Sequence, residues 1–547
     1  MSAPNQLPKR LQPPWSTGFF EARRWSDCTS RWRRPHIETW FAQQIGRRGI
    51  LLVSGRYPLL QSSSFLSTAM PTRKSLEIAS LRTRLLAGSV TAAELIDEVL
   101  IRIHEWDDPA IWISRARDSA LRTRARELDA LARTARKAID EMPLFGIPFA
   151  IKDNIDVAGM PTTAGCPAFA YIPEETALVV GRLETAGAIL MGKTNLDQFA
   201  TGLVGTRSPY GVPRNPFDAR FIPGGSSSGS AVAVSAGLVS FALGTDTAGS
   251  GRVPAAFNNI VGFKPTRGIL STRGVVPACR SLDCVSIFAL SAEGAATVFR
   301  VAVEFDPDDP LGRMPPAVAR SSFGQHFRFG VPPQPELEFF GDRETARLFG
   351  AAIDILEEAG GTRVETDFTP FRKAGGLLYE GPWVAERLDA TDALLRENPA
   401  AMLPITRSII ASGREYSALD AYRAQYELAV LRRAVGNVFA AIDLLLLPTA
   451  GTIYETATVR ADPLRLNANL GRYTNFVNLL DLAAIALPAG FTSAGLPFGI
   501  SLIAPAFTDA ALIELAGRWQ KLTALPLGAR WDQSSTIAGS AESAASG

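Results

Sequence analysis

The stretch PGGSSSGSAVAVSAGLVSFALGTDTAGSGRVPAAFNNIVGFKPTRG, residues 223–268, holds two turns rich in glycine and serine. One turn covers 224–229 and the other 245–252, and the apolar run between them predicts a buried helix followed by a short strand. Glycines at this density mark places where the backbone turns with positive φ or closely approaches another group. Serines among them can aim hydroxyl and N–H groups at one spot. We therefore interpret the stretch as the core of an active site.

Other sites built on glycine-rich turns fit these residues poorly. A P-loop requires a lysine after its last glycine, and GGSSSGSA has none. A dinucleotide-binding turn follows an early strand in the pattern G-x-G-x-x-G, which residues 224–229 do not match. A purely structural pair of turns remains the alternative to an active site.

The composition is that of a globular protein with one large domain or two to three smaller ones. The chain has 547 residues, of which 46% are hydrophobic and 20% charged, and this balance allows a sizeable core. A net charge of +2 gives no reason to expect a nucleic-acid partner. Because no run of about 18 or more strictly apolar residues occurs, we expect no membrane span.

Cysteine and histidine are scarce, which narrows the possible chemistry. The four cysteines form no CxxC pair and predict free thiols in a reducing cytoplasm. The three histidines show no metal-ligand spacing, so neither a zinc site nor a Ser–His–Asp triad is expected. We expect no metal and no organic cofactor, and any catalytic base must be another type of residue.

The chain is expected to consist of one domain with an extension at each end. Residues 1–69 are basic, poor in acids and without a regular apolar period. They predict a disordered extension, with a transit peptide or a start codon placed before the real start at Met70 as alternatives. The helical pattern stops near Leu525, and the residues from Ser534 are small and mostly polar, so residues 525–547 predict a disordered tail. The domain between them, residues 70–524, carries the fold and the site.

Strand and helix patterns alternate along that domain, which favours an α/β fold. Apolar strands are predicted at 144–151, 188–191, 327–331, 362–368, 444–447, 485–488 and 498–504. Helices are predicted at 116–140, 177–187, 343–358, between 380 and 440, and at 473–483. Thr91 and Glu94 form a capping box that starts another helix. We expect one sheet with helices on both faces.

The residues favour a serine nucleophile with a lysine base. A serine hydroxyl is a weak nucleophile and needs a base, and since histidine is scarce, lysine is the candidate. Lysine acts as a base only when burial lowers its pKa and leaves it neutral. Lys152 follows the apolar strand FGIPFAI and can be buried in this way. The turn from Thr247 to Ser250 can present several backbone N–H groups to an oxyanion.

Through these residues the chain resembles the amidase signature family over 143–290, with weaker motifs to about 505. The family signature is Gly–Gly–Ser–Ser–(Gly/Ser)–Gly, followed by a second turn that holds the nucleophilic serine. Ser226 and Ser250 have the spacing that this signature requires. The resemblance implies a large mixed, twisted β-sheet covered by α-helices on both faces. It also implies a cis peptide bond between Gly225 and Ser226.

The resemblance assigns a role to residues of both turns. It makes Ser250 the nucleophile, Ser226 a bridge for the proton and Lys152 the ultimate base. The backbone N–H groups of the oxyanion hole would belong to Thr247, Ala248, Gly249 and Ser250. Asp246 and Arg252 flank the second turn and are expected to support it rather than to catalyse.

A narrower resemblance concerns the allophanate hydrolases, one group of that family. It rests on FATGLVG at 199–205, SPYG at 208–211, CRSLDCVSIF at 279–288 and LLYEGPWVAER at 377–387. It implies that Tyr379 and Arg387 contact the substrate, and in a continuous helix they would lie about two turns apart. A guanidinium can hold the carboxylate of a small anionic amide through two hydrogen bonds.

The narrower resemblance implies hydrolysis of allophanate (urea-1-carboxylate) to ammonia and carbon dioxide in urea degradation, a part of nitrogen metabolism. It also implies a functional link to a urea carboxylase and a homodimer. Allophanate hydrolases commonly carry a further C-terminal domain, and we expect only the short polar tail here. One alternative is another amidase, such as an aliphatic amidase or the amidase subunit of an amidotransferase. The other alternative is a non-catalytic scaffold of the same fold.

Overall fold

One mixed sheet of eleven strands runs through the part of the chain that the computed structural model describes, residues 74–317 and 319–529. The strands are β1 (Trp112–Arg115), β2 (Pro148–Lys152), β3 (Ile189–Thr194), β4 (Phe241–Asp246), β5 (Val261–Lys264), β6 (Cys284–Ala289), β7 (Phe327–Val331), β8 (Gly361–Glu365), β9 (Leu444–Pro448), β10 (Leu482–Phe491) and β11 (Pro497–Pro505). Their order in the sheet is β1-β3-β2-β4-β6-β5-β10-β11-β9-β7-β8. β2 is parallel to β3 and β4, β7 is parallel to β8 and β9, and the other neighbours are antiparallel. The predicted mixed sheet is confirmed.

Helices connect most of these strands. They are α1 (Ile78–Leu86), α2 (Ala92–Trp106), α3 (Asp118–Thr134), α4 (Arg136–Asp140), α5 (Leu178–Thr185), α6 (Ser228–Ser235), α7 (Val253–Phe257), α8 (Ala292–Ala302), α9 (Arg343–Glu358), α10 (Thr369–Glu380), α11 (Val384–Asp389), α12 (Asp392–Glu397), α13 (Pro404–Ala411), α14 (Ala418–Ala441), α15 (Thr456–Ala461), α16 (Arg465–Gly471), α17 (Phe476–Leu479) and α18 (Asp509–Thr523). Of these described helices, none combines the length and the apolar character that a membrane span requires.

Apolar side chains from the two faces of the sheet enter two separate cores. Along β10, Ala483 and Ile485 belong to one core, whereas Leu482 and Ala484 belong to the other. Alternate residues of a strand point to opposite faces, so the two cores lie on opposite sides of the sheet. α1, α2 and α18 contribute to the first core, and α10, α14 and α17 contribute to the second. The prediction of helices on both faces is confirmed.

Local signals in the sequence locate several elements correctly. The Thr91 hydroxyl accepts the Glu94 N–H at 3.1 Å, and the Glu94 carboxylate accepts the Thr91 N–H at 2.8 Å. This capping box starts α2 one residue later, as predicted. β7 has the predicted bounds, and β9 begins at the predicted residue.

Two helix predictions need correction. The helix predicted at 473–483 ends at Leu479, because Asp481 adopts a left-handed conformation with φ of 55° and the chain continues as β10. The helix predicted at 116–140 is interrupted at Ala135, which separates α3 from α4. The ends of helices are therefore less well predicted than their existence.

The predicted C-terminal boundary of the domain lies too early. Asn259 Nδ2 donates to the Gly528 carbonyl oxygen at 3.0 Å, and the Gly528 N–H donates back to the Asn259 carbonyl oxygen at 3.1 Å. Residues 525–529 therefore continue the domain. The rest of the predicted tail, residues 530–547, and the predicted extension at 1–69 lie outside the described residues.

Candidate active site

Two parallel strands bring Lys152 and the second glycine–serine turn to the same edge of the sheet. β2 ends at Lys152, and its neighbour β4 ends at Asp246, shortly before Ser250. Lys152 Nζ lies 2.7 Å from Ser226 Oγ and 2.9 Å from Thr245 Oγ1. The fold thus joins a lysine and a serine that are 74 residues apart in the sequence.

Burial makes Lys152 a candidate base. Its side chain is fully buried, and removal from water lowers the pKa of its ammonium group from 10.5 to about 7. Three buried carboxylates act against this shift, those of Asp197, Asp283 and Asp246. The positive charge of Arg387 adds to it. Near neutral pH much of the lysine is therefore the neutral amine, whose lone pair can accept a hydroxyl proton.

Asp197 supports the first turn, and sequence reasoning does not single it out. Its carboxylate accepts backbone N–H groups of Gly205 at 2.9 Å and Arg207 at 2.8 Å. A Cβ atom on Gly225 would lie 2.2 Å from Asp197 Oδ2, so the position admits only glycine. The Gly225–Ser226 bond is cis, as the family resemblance predicts. Asp197 therefore packs against the residue directly before the serine that contacts Lys152, and the Asp197 N–H donates to the Ser226 carbonyl oxygen at 3.0 Å.

A buried ion pair braces the second turn. Arg252 Nε and Nη2 each lie 2.9 Å from an oxygen of the Asp246 carboxylate, and both side chains are fully buried. The Gly251 N–H donates to the same carboxylate at 3.0 Å, and Asn478 Nδ2 donates to the Asp246 carbonyl oxygen at 2.7 Å. Ser250 lies between the paired residues in the sequence and is 2% exposed. The pair is thus positioned to hold the backbone that presents the Ser250 hydroxyl.

Two further contacts hold residues of the same turn. Gly249 has φ of 147°, and a Cβ atom there would lie 2.4 Å from Thr474 Oγ1. The Thr247 hydroxyl is hydrogen-bonded to Asp283 Oδ1, and the Asp283 carboxylate also accepts the Ala278 N–H at 2.8 Å. Burial raises the pKa of Asp283 to about 6. Asp283 is a second supporting carboxylate that sequence reasoning misses.

Tyr379 and Arg387 lie on different helices, so the two-turn spacing of a continuous helix does not apply to them. α10 ends at Glu380, where a glycine follows, and α11 begins at Val384. The two side chains still meet, with Arg387 Nη2 3.3 Å from Tyr379 Oη. The guanidinium carbon lies 5.2 Å from the centre of the tyrosine ring, within the range of a cation–π contact.

The Arg387 guanidinium is buried without a carboxylate partner. It is 1% exposed, and its hydrogen bonds go to neutral oxygens of Ala200, Thr201 and Tyr379. Within the described residues no carboxylate pairs with it, and its Nε has no hydrogen-bond partner. Because an unpaired buried charge is costly, this position suits an anionic ligand.

The chain belongs to the amidase family. The family model named Amidase matches residues 94–513, which is more than half of the chain. The family defines a class of amide-hydrolysing enzymes, and the sequence predictions of this family and this class are confirmed.

Similar proteins of known name include a urea amidolyase, an allophanate hydrolase and an amidotransferase subunit. The urea amidolyase of Lachancea kluyveri is 46% identical over 427 residues, which are 78% of this chain and 23% of the relative. The solved structure of the allophanate hydrolase of Kluyveromyces lactis has a TM-score of 0.78 and 40% identity, and the match covers 84% of this chain and 75% of that one. A glutamyl-tRNA(Gln) amidotransferase subunit from Symbiobacterium thermophilum is 37% identical over 82% of this chain and 97% of the relative. The chain therefore spans less than a quarter of its urea amidolyase relative.

Amide hydrolysis is expected to speed up as pH rises to about 7 and to level off above it. Lys152 accepts a proton only as the neutral amine, and its pKa of about 7 sets the midpoint. Well below that pH the neutral fraction, and with it kcat/KM, falls about tenfold for each pH unit. Steady-state kinetics between about pH 5 and pH 9 measure this profile.

The Arg387→Ala variant is a control for this pKa. Because the charge of Arg387 lowers the pKa of Lys152, its removal is expected to move the midpoint to higher pH. A profile that is flat between about pH 5 and pH 9 in the wild type would contradict a lysine base.

Proposed function

We propose that this chain hydrolyses allophanate and that Lys152, Ser226 and Ser250 carry out the reaction. The observation that carries the proposal is the buried Arg387 guanidinium, whose partners among the described residues are neutral and whose charge acts on Lys152. A guanidinium at that position suits a substrate that combines an amide with a carboxylate. The likeness to a urea amidolyase and to an allophanate hydrolase supports the same substrate.

In the first half of the reaction, Ser250 Oγ attacks the carbonyl carbon of the amide. Its proton passes to Ser226 Oγ while the Ser226 proton passes to the neutral amine of Lys152, 2.7 Å away. Backbone N–H groups of residues 247–250 stabilise the oxyanion. When the intermediate collapses, the C–N bond breaks and Lys152 returns the proton through Ser226 to the leaving ammonia.

In the second half, water attacks the acyl ester on Ser250 and loses a proton along the same path. The ester C–O bond breaks, the Ser250 oxygen regains a proton, and an amine with two carboxylate groups leaves. This product then takes up two protons from water, loses two molecules of carbon dioxide and leaves the second ammonia. The chain itself supplies the nucleophile and the base, so the proposed mechanism uses no cofactor.

The substrate carboxylate binds Arg387 in this proposal, with Tyr379 beside it. Two nitrogens of the guanidinium now contact the hydroxyls of Thr201 and Tyr379, and a carboxylate can accept hydrogen bonds from the same nitrogens. Arg387 also affects the proposed base, because its positive charge lowers the pKa of Lys152. A bound carboxylate neutralises that charge, which makes the lysine more basic once substrate is in place.

The proposal includes a partner enzyme and an assembly. Allophanate is the product of urea carboxylation, so a urea carboxylase would supply the substrate. The relative named urea amidolyase is a longer chain, of which this one spans 23%. We propose that the enzyme works in the cytoplasm, as its free thiols predict, and as a homodimer, as the resemblance implies.

The alternative is another amidase of the same family. It is favoured by the match to the amidotransferase subunit, which covers 97% of that relative. The substrate would then be a simple amide such as propionamide or glutamine. Propionamide has no carboxylate for Arg387 to hold.

Ammonia release is expected from allophanate and not from a panel of simple amides. The assay compares allophanate with propionamide, acetamide and glutamine at equal concentration. Ser250→Ala is the matched control, since it removes the nucleophile and is expected to abolish turnover while thermal melting stays unchanged. Equal rates on propionamide and allophanate would contradict the assignment of allophanate as the substrate. Activity retained by Ser250→Ala would refute the mechanism.

Arg387→Ala is expected to raise the KM for allophanate by on the order of 10- to 100-fold. Hydrogen bonds to charged groups contribute about 1.5–3 kcal/mol, and this variant removes the proposed partner of the carboxylate. Steady-state kinetics measure the change, and thermal melting checks the fold. Arg396→Ala removes an exposed arginine from nearby α12 and is expected to leave KM unchanged. A wild-type KM in Arg387→Ala would mean that the carboxylate is held elsewhere.

A further inference from the structure

The loop at residues 278–283, which we call the bridging loop, is tied to the turn that carries Ser250. Its last residue, Asp283, is hydrogen-bonded to the Thr247 hydroxyl of that turn. The same carboxylate accepts the N–H groups of Ala278 at 2.8 Å and Cys279 at 3.2 Å, which closes the loop on itself. The bridging loop therefore cannot move relative to the nucleophile turn without breaking buried hydrogen bonds.

The bridging loop also binds α11, the helix that carries Arg387. Glu386 Oε2 accepts the Ser281 N–H at 2.7 Å, and Glu386 Oε1 is hydrogen-bonded to the Ser281 hydroxyl. Cys279 Sγ lies 3.4 Å from the carbonyl oxygen of Trp383, directly before α11. Because both oxygens of the Glu386 carboxylate bind Ser281, the contact fixes the orientation of α11 as well as its distance from the bridging loop.

α11 depends on contacts of this kind for its position. It has six residues, and the residue before it, Trp383, provides no side-chain hydrogen bond to cap it. Isolated helices shorter than about 12 residues are marginal in water, so this one is held by tertiary contacts. A break in the helix after Glu380 separates it from α10.

We propose that Glu386 is a positioning residue for the substrate carboxylate. By holding Ser281 of the bridging loop, it keeps the Arg387 guanidinium at a set place relative to Ser250. Glu386 acts through Arg387 and not on the reacting atoms. The inference rests on the proposed function, because it takes Arg387 as the anchor of an anionic amide.

Glu386→Gln is expected to raise the KM for allophanate about tenfold and to change kcat by less than about twofold. The variant keeps the size of the side chain but replaces one of the two oxygens that accept from Ser281 with an amide donor. Loss of a hydrogen bond to a charged group changes a binding constant by roughly one to two orders of magnitude. Asp389→Asn removes the same charge from an exposed position on the same helix and is the matched control. It is expected to leave both constants unchanged, and thermal melting checks that both variants fold.

The double variant with Arg387→Ala separates positioning from general structural support. If Glu386 acts through Arg387, Glu386→Gln adds no further rise in KM once Arg387 is gone. The KM for propionamide, which has no carboxylate, is expected to stay unchanged in Glu386→Gln. A tenfold rise that persists in the Arg387→Ala background, or an equal rise for propionamide, would overturn the proposal.

Binding of malonamate to the Ser250→Ala protein tests Glu386 separately from turnover. Malonamate carries an amide and a carboxylate as allophanate does, with a methylene group in place of the central N–H. Calorimetry is expected to show about tenfold weaker binding after Glu386→Gln is added. If the wild type releases no ammonia from allophanate, the proposed function fails, whereas this comparison still decides the role of Glu386. The role of Glu386 would be overturned if the substitution left the affinity for malonamate unchanged, or if malonamate bound neither the Ser250→Ala protein nor the Ser250→Ala, Glu386→Gln protein.

Discussion

A lysine held away from water beside a serine hydroxyl is the interaction on which the rest of the site depends. Removal from water disfavours the ammonium form of Lys152 and brings its pKa down to about 7. Hydrogen-bond contacts with Ser226 and Thr245 then satisfy the buried nitrogen and orient it toward the serine. Burial thus gives the chain a base near neutral pH without a histidine.

The sheet and a set of buried carboxylates keep this arrangement in place. β2 and β4 bring the lysine and the second turn to one edge, and the apolar cores on both faces exclude water. Asp197 holds backbone N–H groups beside the first turn, Asp246 pairs with an arginine across the second, and Asp283 ties the second turn to the bridging loop. Each raises the pKa of Lys152, yet burial outweighs all three. The supports are therefore close enough to fix the turns, yet they leave much of the lysine neutral near pH 7.

Features that depend on local pattern could be predicted from the sequence, and features that depend on distant partners could not. Alternating strand and helix signals predict a sheet with helices on both faces, and the family resemblance implies that the sheet is mixed. The apolar run before Lys152 predicts the burial of that lysine. Asp197 and Asp283 carry no periodic signal for their links to the two turns, because Asp283 binds Thr247 and Asp197 lies against Gly225, each on a separate segment. An acid soon after a buried strand is the one hint for Asp197. The end of the helix at Leu479 depends on the left-handed conformation of Asp481, which its residue type alone does not determine. The difference between Ser226 and its neighbouring serines came from the family resemblance and not from composition.

Direct titration of Lys152 is the measurement that tests the neutral lysine most directly. Lysine labelled with carbon-13 at Cε gives an NMR signal whose shift follows the charge of each amine, and the Lys152→Met variant assigns the signal of this residue. A midpoint at about pH 7 is expected, because burial lowers the pKa that far. A midpoint near the ordinary lysine value of 10.5 would mean that the side chain is charged at neutral pH and cannot be the base.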